Sequence, residues 1–137
     1  MTSLISKDEI FFLAGGTGMA GKSIHKVLLK NGYGDEKKNG KILIPTREEL
    51  DLIDFKAVKE WFETYKPSIV IIAAAKVGGI LANSTLPSSF LLDNLKIQSN
   101  IIEISKIYNV KRLIFLGSSC IYPKFSEQPI SEESLLS

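Results

Sequence analysis

A chain of 137 residues, 45% hydrophobic and 23% charged, is expected to form one globular domain, residues 1–137, with a core of its own. A formal net charge of +2, with scattered lysines and no basic stripe interleaved with aromatics, argues against nucleic-acid and membrane-surface partners. One cysteine, Cys120, and one histidine, His25, exclude an internal disulfide, a multi-cysteine metal site and a histidine-based metal cluster.

The N-terminal stretch Met1 to Ile10 carries Lys7, Asp8 and Glu9 and no apolar core, so no signal peptide is expected. No apolar run reaches bilayer-spanning length, and the cytoplasm is the expected location. Ile10 to Ala14 is a short continuous apolar run stopped by glycines, which predicts a buried parallel strand. Ala20, Ile24, Val27 and Leu28 then share one helical face, closed by Asn31-Gly32. Gly34 to Gly40 is polar and glycine-bounded and reads as a surface loop. Lys41 to Ile44 predicts a second strand cut off by Pro45, and Leu50-Asp51-Leu52 offers a very short third one.

Asp54 caps a predicted helix whose apolar face is Phe55, Val58, Phe62 and Tyr65, ended by Lys66-Pro67. Ile69 to Ala73 is an almost purely β-branched run and predicts a strand. Pro87 opens the longest helix, with Phe90, Ile97, Ile101, Ile104 and Tyr108 on one face. Lys111 to Leu116 is the last strand. Buried strands alternating with amphipathic helices predict an α/β fold with a parallel sheet and right-handed crossovers.

Two places carry chemistry. The first is Gly15 to Gly21, which fits both G-x-G-x-x-G (Gly16, Gly18, Gly21) and G-x-x-G-x-x-G (Gly15, Gly18, Gly21). Its strand–turn–helix setting favours a pyrophosphate on a helix N-terminus over a ligand-free turn. A nucleotide-binding second strand commonly ends on an acid that takes the ribose hydroxyls. Here it ends Ile44-Pro45-Thr46-Arg47, and Arg47 is a planar cation suited to a 2′-phosphate. That favours NADP over NAD; a surface arginine paired with Glu48 or Glu49 is the alternative. Asp51 and Leu52 stand where an adenine could rest, although an acid before a helix is also an ordinary cap. The second place is Leu116-Gly117-Ser118-Ser119-Cys120-Ile121-Tyr122-Pro123, where a strand ends on two hydroxyls and a thiol. Lys76 reads as solvated, Asn94 as a partner for backbone near the cofactor, and His25, Trp61 and Met19 as packing or water-facing residues.

The segments Thr46 to Leu52, Ala73 to Ile80 and Leu116 to Pro123 resemble the GDP-L-fucose synthases, extended short-chain dehydrogenase/reductases, and the resemblance runs from Ile10 to the end. It implies a Rossmann-type doubly wound parallel sheet, truncated before the later strands and the substrate domain. It implies NADP (NADPH) as cofactor and no metal. The implied reaction epimerises GDP-4-keto-6-deoxy-D-mannose at C3 and C5 and reduces it at C4. By position, Ser118 is the catalytic serine that hydrogen-bonds the C4 carbonyl oxygen, and Cys120 is the base for the protons α to it. Gly15, Gly16, Thr17, Gly18, Met19, Ala20 and Gly21 match the pyrophosphate loop, and Arg47 the 2′-phosphate ligand. Asp51, Leu52 and Ala74 are implied cofactor contacts, and Leu116, Gly117, Ser118 and Ser119 line the nicotinamide side. Full-length members are expected to be homodimers.

No Tyr-x-x-x-Lys pair follows the Ser118 segment, where the family's would stand, and the Tyr33/Lys37 spacing lies far upstream of it, so the isolated chain is expected to be inactive. The ending Glu132 to Ser137 reads as mid-protein sequence. Some relatives have a basic residue where Thr17 stands, which leaves the phosphate contacts fewer. The long helix and the last strand are expected to expose apolar surface. Another nucleotide-sugar epimerase/dehydratase and a non-catalytic dinucleotide-binding module are the alternative readings.

Overall fold

The computed structural model describes residues 5–78 and 85–135. Gly79 and Ile80, in the segment after the Ile69 strand, and the terminal Leu136 and Ser137 lie outside the described residues, as does the side chain of Ser119.

Four strands, β1 (Ile10–Ala14), β2 (Lys41–Leu43), β3 (Ile69–Ile72) and β4 (Arg112–Phe115), form a parallel sheet in the order β2-β1-β3-β4. Among the described residues, three α-helices connect them: α1 (Met19–Lys30), α2 (Phe55–Tyr65) and α3 (Pro87–Ile107). The side-chain period of two explains why β1 and β3 are apolar throughout. Phe12, Ala14, Val70 and Ile72 pack with Val58 and Phe62 of α2 and with Ile97, Ile101 and Ile104 of α3. Phe11, Leu13, Ile69 and Ile71 pack on the other face with Ile24 and Leu28 of α1. The sheet is therefore covered on both sides, as a doubly wound Rossmann-type fold requires.

The helix ends follow local chemistry. Asp54 accepts hydrogen bonds from the Lys56 and Ala57 N–H groups and caps α2. Lys66, in the left-handed region at φ 47°, closes the same helix before Pro67. Asn31 closes α1, followed by Gly32 at φ 76°. Pro87 stands in the first turn of α3.

Several expectations need correction. Ile44 falls outside β2, and the strands at Ile69 and Lys111 are trimmed to Ile69–Ile72 and Arg112–Phe115, although Ala73 and Leu116 still donate to Ala14 and Ile72 oxygens. Leu50-Asp51-Leu52 is not a strand. Thr46 and Glu49 bond each other's main-chain N–H groups, a capping box in miniature, at 2.7 and 3.3 Å. Asp51 then accepts from the Ile53 N–H at 3.0 Å. These side chains offer the backbone turns that compete with a ladder. Phe55 is 37% exposed and falls off the buried face of α2, which centres on Val58 and Phe62. Gly34 to Gly40 holds one 3-10 turn, Glu36–Lys38, capped by Asp35. The outer surface of α3 leaves Leu91, Leu92, Leu95 and Ile102 exposed, and edge strand β4 leaves Ile114 and Phe115 exposed, as expected.

The N-terminus is tied to the start of β4 by Lys111 Nζ on Glu9 Oε1 at 2.7 Å. Hydrogen bonds from Lys111 and then Ser68 hold the Glu9 carboxyl below its ordinary value of 4.5. A carboxyl depressed in the folded state adds stability above its unfolded value and loses it as pH falls through the folded one. Acid melting of the wild type should therefore steepen below about pH 4.5, and Glu9→Gln should flatten that limb. Thermal melts across pH 3 to 6, with both proteins in one buffer series, check it.

Candidate functional site

From β1 the chain leads on one side to β2 and on the other to β3, which makes the carboxyl ends of β1 and β3 the topological switch point. A cleft of about 400 Å³ opens there. One wall is the glycine turn (Gly15, Thr17, Gly18, Met19); a second is the segment after β2 (Arg47, Asp51, Leu52); a third is the segment after β3, with Ala74 and Lys76. Ile97 of α3 also lines it.

The turn is built from main-chain bonds, Gly16 N–H to Leu13 O at 3.3 Å and Gly18 N–H to Gly15 O at 3.0 Å. Gly15 sits at φ 80°, and a Cβ on it would come within 2.7 Å of Ala73 and Ala74 backbone. Only glycine fits there. Gly18 is the N-cap of α1, with no side-chain cap and no acid in the first turn. The first N–H groups of a helix lack intrahelical partners, and the helix dipole favours an anion beside them. This cradle suits a phosphate.

Arg47 lines the cleft and makes no ion pair with Glu48 or Glu49 among the described residues. Glu49 is instead engaged by the Thr46 N–H. Asp51 both lines the cleft and caps its own turn.

Of the residues singled out from sequence, Gly15, Thr17, Gly18, Met19, Arg47, Asp51, Leu52 and Ala74 are brought together in the cleft. Gly16, Ala20 and Gly21 are not part of its lining. Gly16 packs against Ile44, and a Cβ on Gly21 would overlap Gly15 O, so Gly21 serves the close seating of α1. Leu116, Gly117 and Ser118, with Cys120, also lie outside the lining, and the side chain of Ser119 is outside the described residues. They follow β4, the strand beyond β3, at the same sheet edge. There Ser118 Oγ accepts the Cys120 N–H at 3.1 Å, and Cys120 is exposed.

Lys76 is not simply solvated. Its ammonium pairs with Asp93 at 2.6 Å, bonds Ser89 Oγ at 3.0 Å and lies over the Phe90 ring. The hydrogen bond from Lys76 holds the Asp93 carboxyl below its ordinary range. Asn94 does bond backbone beside the cleft, to both N–H and C=O of Lys76. Asn100 escaped sequence reasoning; it donates to Leu52 O and Ile53 O. The available signal was a second asparagine on the Asn94 face of a helix. Among the described residues no three or more His, Cys, Asp or Glu could hold a metal ion, and no helix is long and apolar enough to cross a membrane.

Residues 11–137 match the model of the NAD dependent epimerase/dehydratase family. The chain belongs to that family. Among curated relatives it is 45% identical over 133 residues to a putative GDP-L-fucose synthase 2 of Arabidopsis thaliana, covering 97% of this chain and 39% of that protein. It therefore spans about two fifths of the length of that relative. Among solved structures it superposes on a GDP-L-fucose synthetase from Naegleria fowleri bound to NADP, with a TM-score of 0.81 and 35% identity, over 96% of this chain and 41% of that one. It also superposes on a GDP-mannoheptose C4 reductase from Campylobacter jejuni with NADP bound, with a TM-score of 0.86 and 35% identity, over 96% and 40%. The resemblance read from the three sequence segments is borne out.

Proposed function

We propose that this chain forms the NADP-binding part of an epimerase-reductase of the GDP-L-fucose synthase type, with GDP-4-keto-6-deoxy-D-mannose as substrate. The observation that carries the reading is Arg47, with no carboxylate at ion-pair distance among the described residues, on the wall of a cleft whose floor is an uncapped, glycine-seated helix N-terminus. The residues fit the dinucleotide: α1 N–H groups for the pyrophosphate, Asp51 and Leu52 toward the adenosine, Arg47 for the 2′-phosphate. When bound, NADPH supplies the hydride for C4. Ser118 Oγ hydrogen-bonds the C4 carbonyl oxygen and steadies the enolate charge. Cys120, with its exposed sulfur, takes the protons at C3 and C5 as thiolate. The exposed face of α3 seats a second copy in the full-length dimer. No Tyr-x-x-x-Lys follows Ser118 in these 137 residues, the occurrence at Tyr33 and Lys37 lying before β2, and the chain by itself is expected to turn over nothing.

Calorimetric titration with NADPH and NADH tests the proposal. The wild type is expected to prefer NADPH, and Arg47→Ala to weaken NADPH roughly ten- to a hundredfold, the worth of one charged hydrogen bond, with NADH unmoved. Equal binding of both cofactors, insensitive to Arg47→Ala, would sink the NADP assignment. A C4 reduction without epimerisation is the second reading, favoured by the likeness to the heptose reductase. It would keep Ser118 at work and leave Cys120 no proton to take.

A further inference from the structure

The two facing walls of the cleft are irregular segments beyond the strand ladders, yet both are held by one helix. Asn94 Oδ1 accepts the Lys76 N–H at 2.7 Å, and its Nδ2 donates to Lys76 O at 2.9 Å. Six residues further along α3, Asn100 Nδ2 donates to Leu52 O at 3.0 Å and Ile53 O at 2.9 Å. Ile97, midway between them, is buried and lines the cleft itself. Spacings of three place Asn94, Ile97 and Asn100 on one helical face. Asparagine is a poor helix former, so two of them on an inward face cost helix stability that an aliphatic residue would spare. Their return is that four main-chain groups outside any ladder acquire partners.

We propose that α3 is a brace that sets the width of the cleft, with Asn94 and Asn100 as positioning residues for the adenosine end of the dinucleotide. The proposal rests on the dinucleotide reading of the cleft. Each carboxamide fixes one wall, and Ile97 fixes the distance between them. The two sites differ in a way that makes the idea testable. Asn94 both accepts and donates, so an aspartate there keeps the bond from the Lys76 N–H while its second oxygen faces one carbonyl, Lys76 O. Asn100 only donates, so an aspartate there sets a carboxylate against two carbonyl oxygens.

The experiment titrates 2′,5′-ADP, the adenosine half of NADP, into the wild-type chain and into Asn94→Asp, Asn94→Ala, Asn100→Asp and Asn100→Ala. Amide exchange of Lys76 is followed by NMR on the same samples. Affinity is expected to fall roughly three- to tenfold per lost hydrogen bond, with Ala worse than Asp at position 94 and Asp worse than Ala at position 100. Unchanged affinity in all four variants overturns the brace. So does Ala proving the milder change at both positions, because that ranking reports helix propensity alone. If the wild type binds no 2′,5′-ADP, the dinucleotide reading fails, and amide exchange decides the brace separately. Loss of Lys76 protection in Asn94→Ala, with the β1–β3 ladder still protected, upholds the brace. Unaltered Lys76 protection overturns it.

Discussion

Gly21→Ala is expected to unseat α1 and abolish NADPH binding. A Cβ at this position would overlap Gly15 O and lie 2.6 Å from Gly16 Cα. Both obstacles are backbone, and no side-chain rotation relieves them. Gly15 cannot retreat, because it is itself wedged against the Ala73 and Ala74 backbone. Two effects oppose each other. Alanine favours a helix interior by about 1 kcal/mol over glycine, while inserting a group into a close-packed contact costs about 1–3 kcal/mol and sometimes more. A clash with two unyielding backbone atoms belongs at or above the upper end, so strain wins. The pyrophosphate cradle moves with the helix, which is why binding should fail even where the chain still folds. Urea unfolding together with NADPH titration checks this. Wild-type stability and affinity in Gly21→Ala would mean that α1 stands off β1 by more than the structure shows.

The second large effect is Phe62→Ala. Phe62 is wholly buried and meets Phe12 of β1 edge-on, with ring centroids 5.2 Å apart at 72°. Tyr108, just past the end of α3, lies 6.3 Å from it on another side. Truncation leaves a cavity where α2, α3 and the sheet meet, at an expected cost of about 3–5 kcal/mol. Native domains hold only about 5–15 kcal/mol in all, so this variant should be marginal or unfolded at room temperature. Phe55→Ala, on the same helix but at a half-exposed position, should stay within about 0.5 kcal/mol of wild type. Parallel urea melts of the two variants measure the contrast. Similar losses at both positions would show that Phe55 belongs to the core after all.

That contrast marks where sequence patterns stop. Phe55, Val58, Phe62 and Tyr65 share a helical spacing, but the pattern does not say where the sheet's edge lies, and Phe55 passes beyond it. The strands β1 and β3 were legible because a parallel strand covered on both faces is apolar at every position. Leu50 to Leu52 misled for the opposite reason: Thr46, Glu49 and Asp51 turn the backbone through side-chain bonds that hydropathy does not register. In the site, glycine spacing and the Arg47 position were readable because they depend on neighbours in sequence. The partners of Lys76 and Asn100 were not, since they lie 17 residues away (Asp93) and 48 residues away (Leu52). The offset of Ser118 and Cys120 from the cleft depends on sheet order, which places β4 outside β3.

The cleft has one more property, and it concerns time rather than space. Among the described residues, every one that lines it falls between Ala14 and Ile97, while Ser118 and Cys120 come later in the chain. A polypeptide leaves the ribosome N-terminus first, at about 5–20 residues per second. The walls of the cleft are thus fully synthesised one to several seconds before the serine and the thiol emerge, by the same rate. Strands β1, β2 and β3 pair with one another without help from β4. Chain order therefore lets the cleft assemble ahead of the segment that carries the serine and the thiol, so that Cys120 enters a scaffold already begun.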